Sequence, residues 1–314
     1  MSHTKRVTDQ PFVAEILADS INESGQRLTT MKVRFHRFVL AEFNTHRVFS
    51  RNSASSRAIP LETQLKLLAA GPAFPISWPV EQPGMQGGSE LTGADLLSAQ
   101  RLVERVYQST VDEINQYTAD LKAFYGDDAK SHRLHKSVIN RLLEPFMYHT
   151  VIVSSTEWEN FFEQRCSPLA QPEIRVAAEV MRDIYRASTP TTVHVGHWHL
   201  PLVDSSDMPW IMNFALETKQ SARLIACAIS VARCARVSYL THEGVRDPLK
   251  DVDLFNKLIT ADPPHWSPLE HVATPAGRRD STTGNFTGWS QLRHSEGLWS
   301  PGQLGPLRLT EGSN

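Results

Sequence analysis

Residues 41–60, AEFNTHRVFSRNSASSRAIP, concentrate side chains that suit an oxygen-rich ligand. Arg47, Arg51 and Arg57 stand there among serine, asparagine, threonine and histidine residues. A guanidinium group donates paired hydrogen bonds to phosphate or carboxylate oxygens, and hydroxyl and amide groups adapt around it. This signature segment therefore favours binding of a nucleotide or a similar ligand. The alternative is a solvated polar loop at the surface.

The signature segment resembles the motif of the flavin-dependent thymidylate synthases, in which Arg-His-Arg is followed by seven residues and a serine. Thr45-His46-Arg47 stands at the triplet and Ser55 at the serine, with Asn52 and Arg57 in register. The pattern differs at two positions, because Thr45 replaces an arginine and Ser53 replaces a glutamate.

A second block begins at Arg165 and continues through Ala-Gln-Pro-Glu-Ile at residues 170–174. It resembles the arginine and Ala-Gln-x-Glu-Ile of the same family, in which residues corresponding to Arg141 and Asn160 contact ligands. By its chemistry, Arg165 suits the carbonyl edge of a pyrimidine or flavin ring, and Arg141 suits a phosphate. A surface ion pair between Arg165 and Glu173 is the alternative.

A third block consists of Ala-Arg-Val-Ser at residues 235–238 and His-Trp-Ser-Pro-Leu-Glu-His at residues 265–271. The family carries Ala-Arg-Val-Ser and His-x-Ser/Thr-Pro-x-Glu-His, but ordinary members place the latter before the signature. Here it follows the signature, so the chain resembles a permuted relative. Permutation is tolerated when the chain termini lie close together at the surface.

Two more features bear on the ligand. Leu169 stands where family members usually have a histidine, which changes one flavin contact. The tail GWSQLRH at 288–294 resembles the Gln-Trp-Phe-Arg-His that normally leads into the signature. We therefore hypothesise that Gln291 and Arg293 bind the phosphate in place of the side chains at positions 42 and 45, which are Glu42 and Thr45 here.

Composition narrows the class of protein. The 314 residues are 40% hydrophobic and 21% charged, which is ordinary for a soluble globular chain. A formal net charge of −2 argues against a broad nucleic-acid-binding surface. We expect no membrane partner, because no apolar run reaches the roughly 18 residues that span a bilayer. Three cysteines without a Cys-x-x-Cys motif favour a reducing, cytoplasmic compartment.

Apolar periodicity and turn residues predict the elements that position these blocks. Strands are expected within 27–43 and over 147–154, and an ordered loop or lid over 71–90. The stripe from Leu102 to Phe124 is expected to pack in the core. An irregular excursion is expected over 188–213, and a loop-rich last third follows. Helices are expected over 11–26, after Pro60, and over 95–124, 131–145, about 158–165, 172–187 and 216–233.

The run HVGHWH, with His194, His197 and His199, has three interpretations. It suits a metal site in a strand or loop, a loop lining the active site, or structural packing. Asp204 and Asp207 are the carboxylates close enough along the chain to assist a metal, so we assign no metal ligand. A serine hydrolase is disfavoured because the chain lacks a Gly-x-Ser-x-Gly elbow. No cysteine stands in the Pro-Cys-His setting of the folate-only thymidylate synthases.

The resemblance implies an α+β fold, a mixed sheet flanked by helices in one domain over residues 1–314, assembled as a homotetramer. It implies a methyltransferase that moves a one-carbon unit from methylenetetrahydrofolate to C5 of deoxyuridylate, with FAD and NADPH. The residues implied for FAD are His46, Arg47, Asn52, Asn160, Ser238, His265, Ser267 and Glu270. Those implied for the nucleotide are Ser53, Ser55, Arg57, Arg141, Arg165, Gln291 and Arg293. Ser55, Arg57 and Arg165 are implied in the chemistry.

Two alternatives stay open. One is a methylase or hydroxymethylase acting on deoxyuridylate or deoxycytidylate, as a bacteriophage that modifies its DNA would need. Replacing a carbonyl by an amino group at C4 inverts the hydrogen bond required, so one residue change suffices to switch the base. The other is a nucleotide-binding relative that has lost catalysis.

Overall fold

A computed structural model describes residues 12–239, 246–276 and 282–294. It confirms the α+β class. A mixed five-stranded sheet has the order β3-β4-β2-β1-β5, and a small sheet has the order β6-β9-β7-β8. The strands of the first sheet are β1 Val13–Asn22, β2 Arg27–His36, β3 Ser50–Ser53, β4 Tyr148–Ser155 and β5 Thr191–Val193. Those of the second are β6 Ala273–Pro275, β7 Thr282–Thr283, β8 Phe286–Thr287 and β9 Trp289–Gln291.

Helices surround the five-stranded sheet. They are α1 Leu40–Asn44, α2 Leu61–Ala70, α3 Gly93–Tyr125, α4 Ala129–His132, α5 Lys136–Ile139, α6 Glu159–Arg165, α7 Pro172–Ala187, α8 Met208–Thr218, α9 Ala222–Ala235 and α10 Pro248–Thr260. Short 3-10 helices include Arg37–Val39, Asn140–Phe146, Arg236–Tyr239, Ser267–His271 and Leu292–His294. Among the residues described, no helix is both long and apolar enough to cross a bilayer.

The helix predicted over residues 11–26 is wrong, because this segment is strand β1. It pairs antiparallel with β2 and parallel with β5. Gly25, expected to end a helix, instead turns the β1–β2 hairpin with φ at +83°, a conformation that glycine adopts without strain. Strand partners on both sides outweigh the local helix propensity of the alanine, glutamate and leucine residues.

Two apolar clusters form the main core. One packs β2 and β4 against α6 and α7, with Phe35, Val153 and Phe161 fully buried. The other joins α8, α9 and α10. A smaller cluster, in which Ile152 of β4 meets residues at the end of α9, connects the sheet to the helical layer. The end of α9 is therefore packed onto the sheet.

The helix predicted over 95–124 is confirmed as α3, but its expected core stripe is not. Leu102 is 54% exposed, Val106 50% and Phe124 82%, whereas Ile114 is buried. A neighbouring face of the helix, which carries Val103, Tyr107 and Val111, packs against the buried cluster instead. The spacing alone could not distinguish these faces, because apolar residues occupy both of them.

Two other helix predictions are corrected. Residues 131–145 form short pieces, because the chain is extended at Arg133 and His135. The helix expected over 216–233 is two helices, α8 and α9, since Lys219 adopts a left-handed conformation that ends α8. Part of the excursion expected over 188–213 is therefore regular, as β5 and the start of α8. The helices after Pro60 and over 172–187, and the strand near 147–154, are confirmed.

Candidate active site

The signature segment runs from α1 into edge strand β3 and on to α2. Strand β3 pairs antiparallel with β4, so that Ser50 lies opposite Ser154 and Asn52 opposite Ile152. Ser50 and Asn52 are buried, whereas Arg47 and Arg57 on either side of the strand are exposed. The strand thus holds a polar segment rigidly at the edge of the sheet, which is where a ligand can reach it.

Arg165, at the end of α6, lies against the beginning of this segment. Its Nε donates to Nε2 of His46 at 2.9 Å. Its Nη2 donates to the hydroxyl of Thr45 at 2.9 Å and to the carbonyl of Glu42 at 3.2 Å. The first and second sequence blocks therefore meet through one guanidinium group. Arg165 does not pair with Glu173, which instead accepts a hydrogen bond from the backbone of Ile76.

His46 is a neutral acceptor in this arrangement. Its ring stacks on Phe49 with centroids 5.7 Å apart, and it meets the edge of Phe161 at 5.0 Å. Burial, assisted by the positive charges of Arg165 and Arg51, lowers the pKa of His46 to about 4. Because arginine stays protonated, Nε2 must carry the lone pair and Nδ1 the proton. His46 is suited to holding Arg165 and unsuited to accepting a proton at neutral pH.

The second half of the signature segment is held from two sides. The backbone N–H of Ser55 donates to the carbonyl of Ser238 at 3.1 Å, so the third sequence block reaches the signature serine. On the other side, the amide nitrogen of Asn140 donates to the carbonyls of Ser56 at 2.7 Å and Ile59 at 2.9 Å. Lys136 donates to a neighbouring carbonyl of the same turn. These contacts fix the turn that carries Ser55 and Arg57.

The C-terminal tail and the Glu270 block also meet β3. The amide nitrogen of Gln291 donates to Oγ of Ser50 at 2.8 Å and to the carbonyl of Glu270 at 2.9 Å. Arg293 forms an ion pair with the Glu270 carboxylate. Gln291 is buried, so its contacts attach the tail to the signature strand. The proposed phosphate contacts of Gln291 and Arg293 stay predictions.

A buried chain of hydrogen bonds, which we call the polar seam, joins Ser20, His199, Thr30, Ser154 and His271. His199 lies 2.8 Å from both the Ser20 and Thr30 hydroxyls, and Thr30 lies 2.5 Å from Ser154. Ser154 continues to Nδ1 of His271 at 2.8 Å. Burial lowers the pKa of both histidines to about 3, so both are neutral. The seam attaches His199 and the 3-10 helix that ends at His271 to β1, β2 and β4.

The Ala-Arg-Val-Ser block is positioned by a buried ion cluster. Arg233 pairs with Asp207 at 2.7 Å and with Asp251 at 2.9 Å, and Asp251 also pairs with Arg236 at 2.8 Å. Burial disfavours the charged form of Asp207, but hydrogen bonds from Arg233 outweigh it and lower the pKa of the carboxyl. The motif arginine thus anchors the 3-10 turn that presents Ser238 to the signature segment.

The other predicted residues are distributed around this centre. Arg141 is exposed and pairs with Glu144 on its own 3-10 helix at 3.2 Å. Ser53, Ser55 and Ser238 are partly buried. The exposed members are Arg47, Arg57, Asn160, His265 and Ser267. The first, second and third blocks are therefore brought together at the signature segment, while the described residues form no hydrogen bond or ion pair that ties these exposed side chains to it.

The HVGHWH run divides between packing and surface. His199 belongs to the polar seam, and His194 pairs with Glu23 at 2.7 Å on the surface. His197 is exposed. Within the described ranges, no cluster of three or more histidine, cysteine or acidic side chains is arranged to hold a metal ion. For His199, the structure selects packing among the three interpretations.

A cavity of about 600 Å³ opens beside the second block. The segment 75–90 lines one wall, and residues 168–175, including Leu169 and Gln171, line the other. Glu173 joins the two walls through its hydrogen bond to the backbone of Ile76. The segment predicted as an ordered loop or lid therefore faces the Ala-Gln-Pro-Glu-Ile motif.

Sequence reasoning missed Asn140 and Lys136, which hold the signature turn, and the contact role of Thr45. Asn140 directly precedes Arg141, a predicted site residue, but its amide acts through a contact 84 positions away along the chain. No periodicity signals such a contact. Thr45 departs from the family motif, and this departure is the sequence feature that could have pointed to its contact with Arg165.

The fold and site define an α+β protein with arginine, serine and amide groups gathered at one sheet edge. Residues 23–191 match the sequence model of the family described as thymidylate synthase complementing protein. The chain belongs to this family, that of the flavin-dependent thymidylate synthases. Membership supports a methyltransferase that acts at C5 of a pyrimidine nucleotide and uses a folate.

A solved structure of a UMP/dUMP methylase, PolB from Streptomyces cacaoi bound with 5-Br UMP, is 14% identical and has a TM-score of 0.40. That alignment covers 56% of this chain and 89% of that chain. A search among curated proteins found no match.

Proposed function

We propose that the protein is a flavin-dependent thymidylate synthase. It transfers a one-carbon unit from methylenetetrahydrofolate to C5 of deoxyuridylate, giving thymidylate. The observation that carries the proposal is the meeting of three separated motif blocks at the signature segment: Arg165 bonds His46, Ser55 bonds Ser238, and Gln291 joins Ser50 to Glu270. These blocks lie far apart along the chain, so a shared site explains why they converge.

The donors around β3 fit a flavin nucleotide. The 3-10 helices that carry Ser238 and Glu270 both contact β3, which carries Asn52. Guanidinium, amide and hydroxyl groups suit the diphosphate and the ring carbonyls of such a cofactor. When bound, FAD in its reduced form would supply the hydride, and NADPH would return the oxidised flavin to that form. The residues that would hold FAD are His46, Arg47, Asn52, Asn160, Ser238, His265, Ser267 and Glu270.

The chain itself contributes binding and electrostatics. Arg141 and Arg57 bind the nucleotide phosphate, assisted by Ser53 and Arg293. Arg165 donates to a pyrimidine carbonyl and withdraws electron density from the ring, which activates C5. Ser55 lies on the turn fixed by Asn140 and Ser238, so its hydroxyl reaches the ligand from a constrained position.

The assembly and setting complete the proposal. A homotetramer is supported by the exposed apolar residues of α3, since exposed apolar patches mark contact surfaces. A cytoplasmic setting is supported by three free thiols at Cys166, Cys227 and Cys234. We propose a nucleotide and a folate as partners, without nucleic acid or membrane.

The test is an incubation with FAD, NADPH and methylenetetrahydrofolate in which dUMP and dCMP are offered separately. Mass spectrometry of the nucleotides is expected to show one added methyl group on dUMP alone. Arg165→Ala should abolish product formation, whereas Arg186→Ala, at an exposed arginine of α7, should leave it unchanged. A hydroxymethyl product, or any product on dCMP, would establish the alternative chemistry. Nucleotide binding without product would establish a non-catalytic relative.

A further inference from the structure

Thr45 has two hydrogen bonds that an arginine at the same position could not both make. Its hydroxyl donates to the carbonyl of Glu42 at 2.7 Å and accepts from Nη2 of Arg165 at 2.9 Å. The same Nη2 donates to the Glu42 carbonyl, so the three groups form a closed triangle. An arginine side chain has no acceptor, and a second guanidinium here would repel the first.

The triangle and His46 together use one edge of the Arg165 guanidinium. Nε donates to His46 and Nη2 donates to Thr45 and Glu42, which occupies three of the five N–H groups. Within the ranges that the structure describes, no group accepts from Nη1. Arg165 is only partly buried.

We propose that Thr45 is a positioning residue that seats Arg165 so that its Nη1 edge is presented to an oxygen of the pyrimidine nucleotide. The residue that departs from the family pattern thus fixes the orientation of a residue that keeps it. The inference rests on the proposed function for the identity of the ligand. We call the hydrogen bonds that Thr45, His46 and Glu42 make with Arg165 the seat, and these contacts do not depend on the proposed function.

A seated guanidinium binds its ligand with less loss of rotamer freedom than a mobile one. Thr45→Val keeps the shape of the side chain and removes the hydroxyl, whereas Thr45→Ser keeps the hydroxyl. We expect Thr45→Val to weaken dUMP binding about tenfold, since hydrogen bonds to charged groups contribute on the order of that factor. Thr45→Ser should restore binding to within about twofold of the wild type. Thr63→Val, at an exposed threonine of α2, is the matched control and should change nothing.

Isothermal titration calorimetry with dUMP measures the affinity, and steady-state kinetics should show a rise in KM larger than any fall in kcat. Equal dUMP affinity in Thr45→Val and wild type would overturn the proposal. Tighter binding in Thr45→Val would overturn it too, because the seat would then hold Arg165 away from the ligand.

A second measurement separates the seat from the proposed function. The His46 imidazole, followed by NMR, senses Arg165 on α6 and Arg51 on β3, the two charged residues whose positive charge lowers its pKa. Loss of the seat in Thr45→Val should move the His46 pKa upward, towards its ordinary value. If the wild type binds no dUMP and the His46 pKa still rises in Thr45→Val, the result contradicts the proposed function and supports the positioning of Arg165 by Thr45. An unchanged His46 titration would contradict the seat.

Discussion

Asn140 holds the signature turn with both protons of a single buried amide. Replacing it by alanine leaves the carbonyls of Ser56 and Ile59 without these donors. We expect Asn140→Ala to lower the free energy of unfolding by about 1–3 kcal/mol, the cost of unsatisfied buried polar groups. The affinity for dUMP should fall as well, because Ser55 and Arg57 lie on this turn.

Urea unfolding and calorimetry with dUMP measure these two effects. Asn115→Ala removes the same side chain from an exposed position on α3 and should change the unfolding free energy by less than about 0.5 kcal/mol. An Asn140→Ala protein as stable as this control would show that the two contacts contribute nothing net.

At the scale of residues, the sequence predicts which side chains are chemically suited to a ligand, but it does not predict which residues those side chains contact. The motifs predict Arg165 and Ser55 as site residues, and the structure places Arg165 in contact with the segment that carries Ser55. Asn140 escapes prediction because a buried asparagine is recognised only by the carbonyls it meets, which belong to a distant part of the chain. Gln291 is predicted to bind a ligand but is buried between Ser50 and Glu270, a placement that the sequence pattern does not encode.

At the scale of elements, the polar seam makes the attachment of His199 and His271 to the five-stranded sheet sensitive to acid. Unfolded histidines take up protons near pH 6.5, whereas burial lowers the pKa of His199 and His271 to about 3. The unfolded state therefore binds more protons between these values, and stability present above pH 6.5 is lost as the pH falls. Each histidine should contribute a loss of about 2 kcal/mol between pH 7 and pH 5.

Urea unfolding at the two pH values, with and without His199→Asn, checks this expectation. The variant is less stable at pH 7, but its stability should fall less steeply towards pH 5, by about 2 kcal/mol. His197→Asn, at an exposed histidine of the same run, should keep the wild-type pH dependence. A parallel fall in His199→Asn and wild type would contradict the assignment.

The type of an element was predictable where apolar periodicity agreed with the positions of turn and breaker residues, as in α3 and α7. They failed where tertiary contacts decide. The β1 segment has the local pattern of a helix, and only its strand neighbours β2 and β5 make it a strand. The break between α8 and α9 depends on one left-handed residue, Lys219, which no breaker residue marks.

At the scale of the whole molecule, α3 presents an apolar stripe to solvent. Leu102, Val106 and Phe124 are half exposed or more, on a face beside the one that packs on the core. In the proposed homotetramer, this stripe is covered by another copy of the chain. The double variant Leu102→Glu with Val106→Glu should therefore yield smaller assemblies, measured by sedimentation velocity.

Asn115→Glu supplies the control. Asn115 lies nine residues from Val106, which places it on the opposite side of the helix, and it is exposed. This variant should sediment like the wild type. A wild-type monomer would contradict the tetramer, and an unchanged assembly in the double variant would place the contact elsewhere on the surface.

The way the C-terminal blocks are joined to the sheet bears on how such proteins are recognised. In the described part of residues 246–294, no strand adds to the five-stranded sheet; β9 pairs with β6 and β7 instead. The connection to β3 and β4 runs through side chains, from Gln291 to Ser50 and from His271 to Ser154. A side-chain hydrogen bond can form whichever of its two partners comes first along the chain. Relatives with rearranged genes should therefore also be sought by an unordered set of motif blocks, because the family match over residues 23–191 leaves the blocks at 235–238 and 265–271 outside it.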